Sequence, residues 1–159
     1  MTIEELEAIG AARMDDDEIR SFLSNQGTGV LGLPADDGPY LLPISFGYDG
    51  ERRLAFTFVP AERSRKRELS DRATQATFLV YDATTMFSWQ SVVCAGTIDE
   101  VTGDDLDAAL ETMRNAWHPD LLEQAKLSGD VVVYAFDVTE WSGVKHMGLP
   151  PGLEPAERD

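Results

Sequence analysis

The sequence predicts a mainly β domain of the α+β class, in which an antiparallel sheet closes into a small barrel with peripheral helices. Strand-like segments follow one another at hairpin spacing, while segments with helical periodicity are few and lie mostly before or after them. A parallel sheet would need a helix between successive strands, and residues 28–59 leave no room for one. The strand segments are therefore expected to pair antiparallel.

The length of 159 residues indicates one domain that is large enough to bury a core. We expect residues 1–146 to form this domain, with N-terminal helices over 1–26, and residues 147–159 to form a C-terminal tail. The chain has neither a run of roughly 18 apolar residues nor the features of a signal peptide. We therefore expect a cytoplasmic protein without a membrane partner. The single cysteine, Cys94, lies among small apolar residues and is expected to be buried and unreactive.

The chain is strongly acidic, with a formal charge of -16 from 29 acidic and 13 basic residues. Lysine is scarce, and this composition is typical of proteins from salt-loving organisms. Strong salt shortens the electrostatic screening length to about 3 Å, so the repulsion between surface carboxylates is weakened. General nucleic-acid binding requires a broad basic face, and no nucleic-acid partner is expected here.

Two helices are predicted before the first strand. Residues 2–13 and 17–25 each carry apolar residues at helical spacing. The acidic residues 15–17 offer capping carboxylates to the second helix, and Gly27 is expected to end it.

Strands are predicted where short apolar or alternating runs are bounded by turn residues. In one of them Leu54, Phe56 and Phe58 are expected to share a face, because side chains alternate along a strand. Gly50, after an Asp, signals a hairpin turn, and Gly96 signals a bulge in a long strand. The predicted strands span 28–33, 40–48, 53–59, 74–81, 87–101 and 131–138, and the later helices span 62–70, 104–116 and a short segment that ends at 127.

A basic island follows the third predicted strand. Residues 62–72 contain five basic and three acidic residues, so this segment carries +2 and the remainder of the chain -18. A helix start there could direct N–H groups, the Ser64 hydroxyl and the charges of Arg65 and Lys66 at a phosphate. The alternative is a solvated helix face whose basic residues pair with Glu62, Glu68 and Asp71.

Two other stretches could contact a ligand. Residues 39–46 contain two prolines, which predict an edge strand whose unpaired backbone groups could bind a flat heterocycle. Trp89 and Trp141 each stand near polar donors and could line a cofactor pocket. An ordinary edge strand and core tryptophans are the respective alternatives.

Several catalytic templates are missing from the sequence. His118 and His146 have no cysteine partners at zinc-binding spacing, so no metal site is predicted. The chain contains neither a glycine-rich phosphate loop nor a Gly-x-Ser-x-Gly nucleophile elbow. The catalytic residues therefore stay unassigned.

Taken together, residues 19–145 resemble the FMN-binding split-barrel family related to pyridoxamine 5'-phosphate oxidase. The order and spacing of several short motifs carry the resemblance. They are Gly27-Thr28-Gly29-Val30-Leu31-Gly32, residues 39–46, Leu54-Ala55-Phe56-Thr57, Ser64-Arg65-Lys66, Ser91-Val92-Val93-Cys94-Ala95-Gly96 and residues 137–145.

The resemblance implies a Greek-key split barrel that forms a homodimer with a flavin site at each end of the subunit interface. It implies that FMN contacts Pro43, Ile44 and Ser45 along the isoalloxazine ring, and Phe56 and Thr57 near the ring and ribityl chain. Ser64, Arg65 and Lys66 would hold the phosphate. Ser91, or Gln90 if the register shifts by one residue, would face the polar edge of the ring, and Trp141 and Lys145 would contribute late in the chain or across the interface.

The chain departs from the oxidases in two places. The turn over residues 58–63 is longer, and the arginine-rich C-terminal segment that binds the oxidase substrate is missing. The expected function is thus an FMN-dependent oxidoreductase acting on a small molecule, without the oxidase activity itself. The alternatives are a non-catalytic module that binds or senses a flavin or haem, and a reductase that uses a deazaflavin.

Overall fold

In the described part of the chain, one curled antiparallel sheet of eight strands forms the body of the fold, and the predicted split barrel is confirmed. The computed structural model describes residues 2–58, 64–112 and 131–148. In chain order the elements are α1 (Ile3–Ala8), β1 (Ala12–Arg13), α2 (Asp16–Ser24), β2 (Thr28–Leu33), β3 (Tyr40–Ser45), β4 (Gly47–Tyr48), β5 (Arg53–Phe58), α3 (Arg65–Arg72), β6 (Gln75–Thr85), β7 (Ser88–Val101), α4 (Asp105–Thr112) and β8 (Val132–Met147). The strand order is β3-β2-β6-β7-β8-β5-β4, and β1 pairs with β8.

The barrel closes at Phe46, the one residue between two strands that lie at opposite ends of the strand order. β3 pairs with β2 at one end, and β4 pairs with β5 at the other. Because a single residue joins β3 to β4, the sheet must curl until its ends meet. The Phe46 N–H donates to the Gly27 carbonyl at 3.0 Å, and its buried ring packs edge-on against Phe78 at 5.2 Å. The single strand predicted over 40–48 is thus corrected to two strands, since burying Phe46 carries the chain from one edge to the other.

An aromatic core fills the barrel. The alternation predicted for β5 is confirmed, because Leu54, Phe56 and Phe58 have no exposed surface. Phe56 contacts Phe78 and Phe136 with ring centroids 4.9 and 6.0 Å apart. Fully burying one such side chain stabilises a protein by roughly 1.5–3 kcal/mol, so this cluster contributes much of the folding energy.

Cys94 belongs to the same core, as predicted. Burial raises the pKa of its thiol to about 12. The side chain therefore stays a protonated thiol near neutral pH and lacks the thiolate that a nucleophile needs.

The predicted cap of the second helix is confirmed. The Asp15 carboxylate accepts from the Glu18 N–H at 2.8 Å, and the Glu18 carboxylate accepts from the Asp15 N–H at 2.9 Å. The helix is capped at its other end by Asn25, two residues before the predicted stop at Gly27. Its apolar face packs on the core through Ile19, Phe22 and Leu23.

The first helix is shorter than predicted. The periodicity predicted a helix over 2–13, but α1 ends at Ala8. Gly10 has a φ of +78°, a left-handed conformation that ends the helix. The following residues Ala12 and Arg13 then pair with β8 as β1, where Ala12 lies opposite Lys145.

β8 is twice as long as predicted, running to Met147 instead of ending at Val138. It pairs with β7 along nearly its whole length, and this long-range pairing holds residues 139–147 extended. The predicted bulge is confirmed by a register shift between Ala95 and Gly96. A Cβ atom on Gly96 would lie 2.2 Å from the Asp137 carbonyl oxygen, so the bulge requires glycine.

The remaining boundaries differ more modestly. β6 extends to Thr85, four residues past the prediction, and α3 begins at Arg65 and ends at Arg72. The predicted helical segments after residue 112, the residues 59–63 and the tail from 149 onward lie outside the described residues. Among the helices within the described ranges, none is long and apolar enough to cross a membrane.

Candidate functional site

Among the described strands, the barrel wall has a gap in its pairing on one side of its closure. β4 pairs with β5 only where Gly47 and Tyr48 lie opposite Ala55 and Leu54. Beyond that point, among the described strands, β3 pairs only with β2, and residues 56–58 of β5 pair only with β8. The outer edges of β3 and β5 therefore have no strand partner there among the described residues. We call this opening the split.

Both edges of the split carry residues that the sequence predicts as flavin contacts. If the β4–β5 register is extended back through Phe46, Ser45 comes opposite Thr57. Both side chains are half-buried, and Pro43 on the same strand is exposed. The edge of the split therefore combines main-chain donors and acceptors with two hydroxyl groups.

The side chains of Ile44 and Phe56 point away from the split. Ile44 packs against the barrel core, and Phe56 has no exposed surface. Any ligand contact by Phe56 would come from its main chain, because its ring is enclosed by other core rings. The sequence suggested both residues without distinguishing main chain from side chain.

The first turn of α3 lies beside the split. Ser64 caps the helix, and its side chain accepts from the Arg67 N–H at 3.4 Å. The Arg65 guanidinium donates to Asp37 at 3.0 Å and lies 5.7 Å from the ring centroid of Tyr40. These contacts tie the helix that follows β5 to the hairpin that leads into β3, so α3 connects the two sides of the split.

The basic residues of α3 differ in their partners. Arg65 pairs with Asp37, while Arg67 lies 3.9 Å from both Asp71 and Glu100. The expected alternative of a helix face paired with its own acidic residues is thus realised in part. Such exposed pairs contribute about 0–1 kcal/mol each.

Lys66 stands apart from these pairs. Within the described residues its ammonium has no carboxylate within 4.0 Å, while Arg72 pairs with Glu68 at 4.0 Å. The Lys66 ammonium instead lies 5.3 Å from the ring centroid of Phe58. Among the basic residues of α3, Lys66 is therefore the one whose charge has no carboxylate partner within the described residues.

A second group of candidates lies under α2. Gln90 of β7 and Lys145 of β8 are directly opposite each other and line a cavity of about 480 Å³. The Lys145 ammonium donates to the Glu18 carboxylate, which forms an ion pair with it. This hydrogen bond and that from the Asp15 N–H lower the pKa of Glu18 from its usual range.

Trp141 also contacts the helix side of the sheet. Its indole N–H donates to the Asp16 carboxylate at 2.8 Å, and the Arg52 guanidinium lies 3.7 Å from the ring centroid. Ser91, by contrast, lies opposite Tyr81 and Val144, on the other face of the sheet from Gln90. Within one chain, the structure therefore does not bring Gln90, Ser91, Trp141 and Lys145 together at the split.

An apolar outer face was missed in the sequence. Val30, Leu79 and Val93 are consecutive cross-strand neighbours on β2, β6 and β7 and line an open cavity of about 790 Å³. On the same face, Leu41 is 66% exposed and Tyr81 is 59% exposed. The signal was available, because β6 and β7 are apolar at successive positions where a one-sided strand would alternate.

Comparison with known proteins adds a family match. A family model described as pyridoxamine 5'-phosphate oxidase matches residues 15–145. No curated protein matches the chain.

Three solved structures illustrate the similarity of fold. A FAD-binding protein from Mesorhizobium loti has a TM-score of 0.69 at 21% identity, covering 86% of this chain and 99% of its own. The FAD-binding protein from Mycobacterium smegmatis has a TM-score of 0.67 at 16% identity, covering 86% and 100%. The FAD and heme binding protein from Mycobacterium smegmatis has a TM-score of 0.65 at 18% identity, covering 89% and 75%. At these identities the similarity establishes the fold.

Proposed function

The chain belongs to the pyridoxamine 5'-phosphate oxidase family, and from this premise we propose that it binds a flavin, FMN, and acts as an oxidoreductase on a small molecule. The split is the observation that carries the proposal. It offers a strand edge that pairs with no second strand among the described ones, for a flat heterocycle. Beside it lies a helix start whose Lys66 has no carboxylate partner among the described residues, for a phosphate.

The described residues fit FMN chemically. Main-chain groups of residues 43–45 can exchange hydrogen bonds with the polar atoms of the isoalloxazine ring, and Thr57 can reach the ribityl hydroxyls. Ser64, Arg65 and Lys66 offer hydroxyl, guanidinium and ammonium donors to the phosphate. A bound flavin would supply the electron or hydride transfer, while the protein binds and orients it.

FAD, a deazaflavin and haem are the alternative cofactors. Two similar structures are described as FAD-binding and a third as binding FAD and heme. FMN is favoured because its terminal phosphate matches the one uncommitted cation of the described α3 residues, Lys66. Competition of FAD, and of a deazaflavin cofactor, with FMN for the purified protein distinguishes these ligands.

A second copy of the chain is the proposed partner. The outer face around Val30, Leu79 and Val93 is apolar and open, as a homodimer interface would be before assembly. A partner subunit would also bring a second set of Gln90, Ser91, Trp141 and Lys145 toward the split. The charge of -16 supports a further part of the proposal, that the protein works in strong salt.

The proposal is tested by absorbance. The protein is purified in high salt, incubated with FMN, freed of unbound ligand and scanned through the visible range. We expect a yellow protein with flavin bands and one FMN per chain. A colourless protein that takes up no FMN would refute flavin binding.

A second measurement separates an enzyme from a binding module. Oxidation of reduced nicotinamide or of a reduced deazaflavin cofactor is followed at steady state with the FMN-loaded protein. Turnover supports the oxidoreductase. A protein that binds FMN but turns over neither donor would favour storage or sensing.

A further inference from the structure

A buried tyrosine is bonded to the helix that carries the basic island. Tyr134 of β8 has no exposed surface, and its hydroxyl donates to the Asp71 carboxylate at 2.6 Å. Burial, and secondly the adjacent Asp71, raise the pKa of Tyr134. The hydroxyl therefore remains protonated and remains a donor. Hydrogen bonds from a neutral donor to a carboxylate are stronger than those between neutral groups.

The same tyrosine supports the other end of α3 through one intermediate ring. The rings of Tyr134 and Phe58 lie 4.9 Å apart, and the Lys66 ammonium lies 5.3 Å from the Phe58 centroid. Inside the helix, the buried Ser70 hydroxyl donates to the Lys66 carbonyl at 2.7 Å. Tyr134 is thus connected both to the last turn of α3 and to the lysine in its first turn.

The other attachments of α3 within the described residues are weak or non-directional. Arg65–Asp37 and Arg67–Glu100 are ion pairs with exposed side chains. Leu69 is the one buried apolar residue of the helix, so the apolar face that orients α3 on the sheet is narrow. An eight-residue helix is also unstable alone. Of the described hydrogen bonds that join α3 to another element, the bond from Tyr134 to Asp71 is the one made to a fully buried side chain of the sheet.

We propose that Tyr134 is a positioning residue for phosphate recognition, and that it acts by holding α3 so that Lys66 faces the ligand. The inference rests on the proposed function, since it concerns the phosphate end of the flavin. It assigns to Tyr134 part of the preference for FMN over riboflavin, which lacks the phosphate.

The substitution Tyr134→Phe tests the proposal, because it removes the hydroxyl and keeps the ring. Dissociation constants of the full chain for FMN and riboflavin are measured by quenching of flavin fluorescence. We expect FMN binding to weaken by about tenfold, the size of effect typical of a lost bond to a charged group, with riboflavin binding changed by less than about twofold. Tyr48→Phe is the matched control, since the Tyr48 hydroxyl donates to the Glu51 carbonyl at 2.8 Å, away from α3.

A second variant leaves every core residue unchanged. Asp71→Ala removes the same hydrogen bond from a half-exposed position and should lower the FMN-to-riboflavin preference by a similar factor. In a Lys66→Ala background, Tyr134→Phe should cause no further loss, because the two residues act on the same phosphate.

The outcomes separate this inference from the proposed function. If Tyr134→Phe weakens the binding of FMN and of riboflavin by the same factor, Tyr134 has no positioning role. The same conclusion holds if its effect on FMN affinity adds fully to the effect of Lys66→Ala. If the unaltered protein binds FMN no better than riboflavin, the phosphate site itself is refuted, and the inference falls with it.

Discussion

Lys66 is a single residue on which the phosphate assignment depends. In a chain of charge -16, the long-range field opposes an anionic ligand, so a local cation that has no carboxylate partner among the described residues matters. We expect Lys66→Ala to weaken FMN binding by roughly tenfold or more and to leave riboflavin binding nearly unchanged. Titration by fluorescence at fixed salt measures both constants.

Arg72→Ala is the control for this substitution. It removes the same unit of charge from the last turn of the same helix, where Arg72 already pairs with Glu68. FMN binding should change by less than about twofold, because a distant paired charge is screened. Equal losses in the two variants would place the phosphate elsewhere.

Glu18 should make stability depend on pH. Its pKa is lowered in the folded protein by hydrogen bonds from Lys145 and the Asp15 N–H. A carboxyl group whose pKa is lowered on folding stabilises the folded state at pH values above its pKa in the unfolded chain, which is about 4.3. This contribution is lost as the pH falls through the pKa of the group in the folded protein. We expect Glu18→Gln to be less stable at neutral pH and to lose less stability on acidification.

Urea unfolding between pH 3 and 7 measures this difference. Glu7→Gln is the control, because the Glu7 side chain makes no ion pair among the residues that the structure describes. Parallel stability curves for the Glu18 variant and the unaltered protein would contradict the assignment.

Among the elements, strands bounded by turn chemistry were predicted well. β2 was predicted to the residue, because the signals that begin and end it are local. β1 and the second half of β8 could not be predicted from residue patterns, since residues 12–13 and 139–147 lack strong strand patterns. For residues 137–145 only the family resemblance indicated a continuing strand. Both segments are held extended by strand partners that are far away in the sequence, and local residue patterns do not report such long-range pairing.

The candidate site also combines features that local sequence signals predict with features that depend on long-range strand pairing. The sequence identified the basic helix start and the edge strand, because composition and proline placement are local. It could not decide between Gln90 and Ser91, since a shift of one residue reverses the face. Nor could it separate Phe56, whose ring is in the core, from Thr57 beside the split. Face assignment requires the register, and the register follows from the whole sheet.

The bulge between β7 and β8 gives a prediction at the level of the element. In Gly96→Ala the new Cβ would lie 2.2 Å from the Asp137 carbonyl oxygen, so the two strands must separate. We expect a loss of roughly 2–4 kcal/mol in the free energy of unfolding. In Gly32→Ala, the nearest atom is 3.5 Å away, an ordinary contact, and stability should change by less than about 1 kcal/mol.

Denaturant unfolding of both variants in the same buffer compares these positions. Both glycines lie in strands, so the intrinsic backbone effect of replacing glycine by alanine on the free energy of unfolding is the same in both variants. A Gly96 variant as stable as the Gly32 variant would mean that the bulge relaxes freely.

At the scale of the whole molecule, charge and assembly are linked. Two copies of a chain with charge -16 repel each other, and salt screens this repulsion with a length of about 10 Å at 0.1 M and 3 Å at 1 M. The apolar outer face favours association at any salt concentration. We therefore expect a dimer in strong salt that dissociates or unfolds as salt is removed.

Val93→Glu tests whether the outer face forms the proposed dimer. Val93 is 40% exposed between Leu79 and Ser142 on the outer face, and a carboxylate there would be buried without a partner on association. Light scattering at 1 M salt should give a monomer for this variant and a dimer for the unaltered protein. Ile3→Glu, at an exposed apolar position of α1, should remain dimeric. A monomeric unaltered protein would refute the interface, whereas a monomeric Val93 variant that keeps full FMN affinity would show that one chain completes the flavin site.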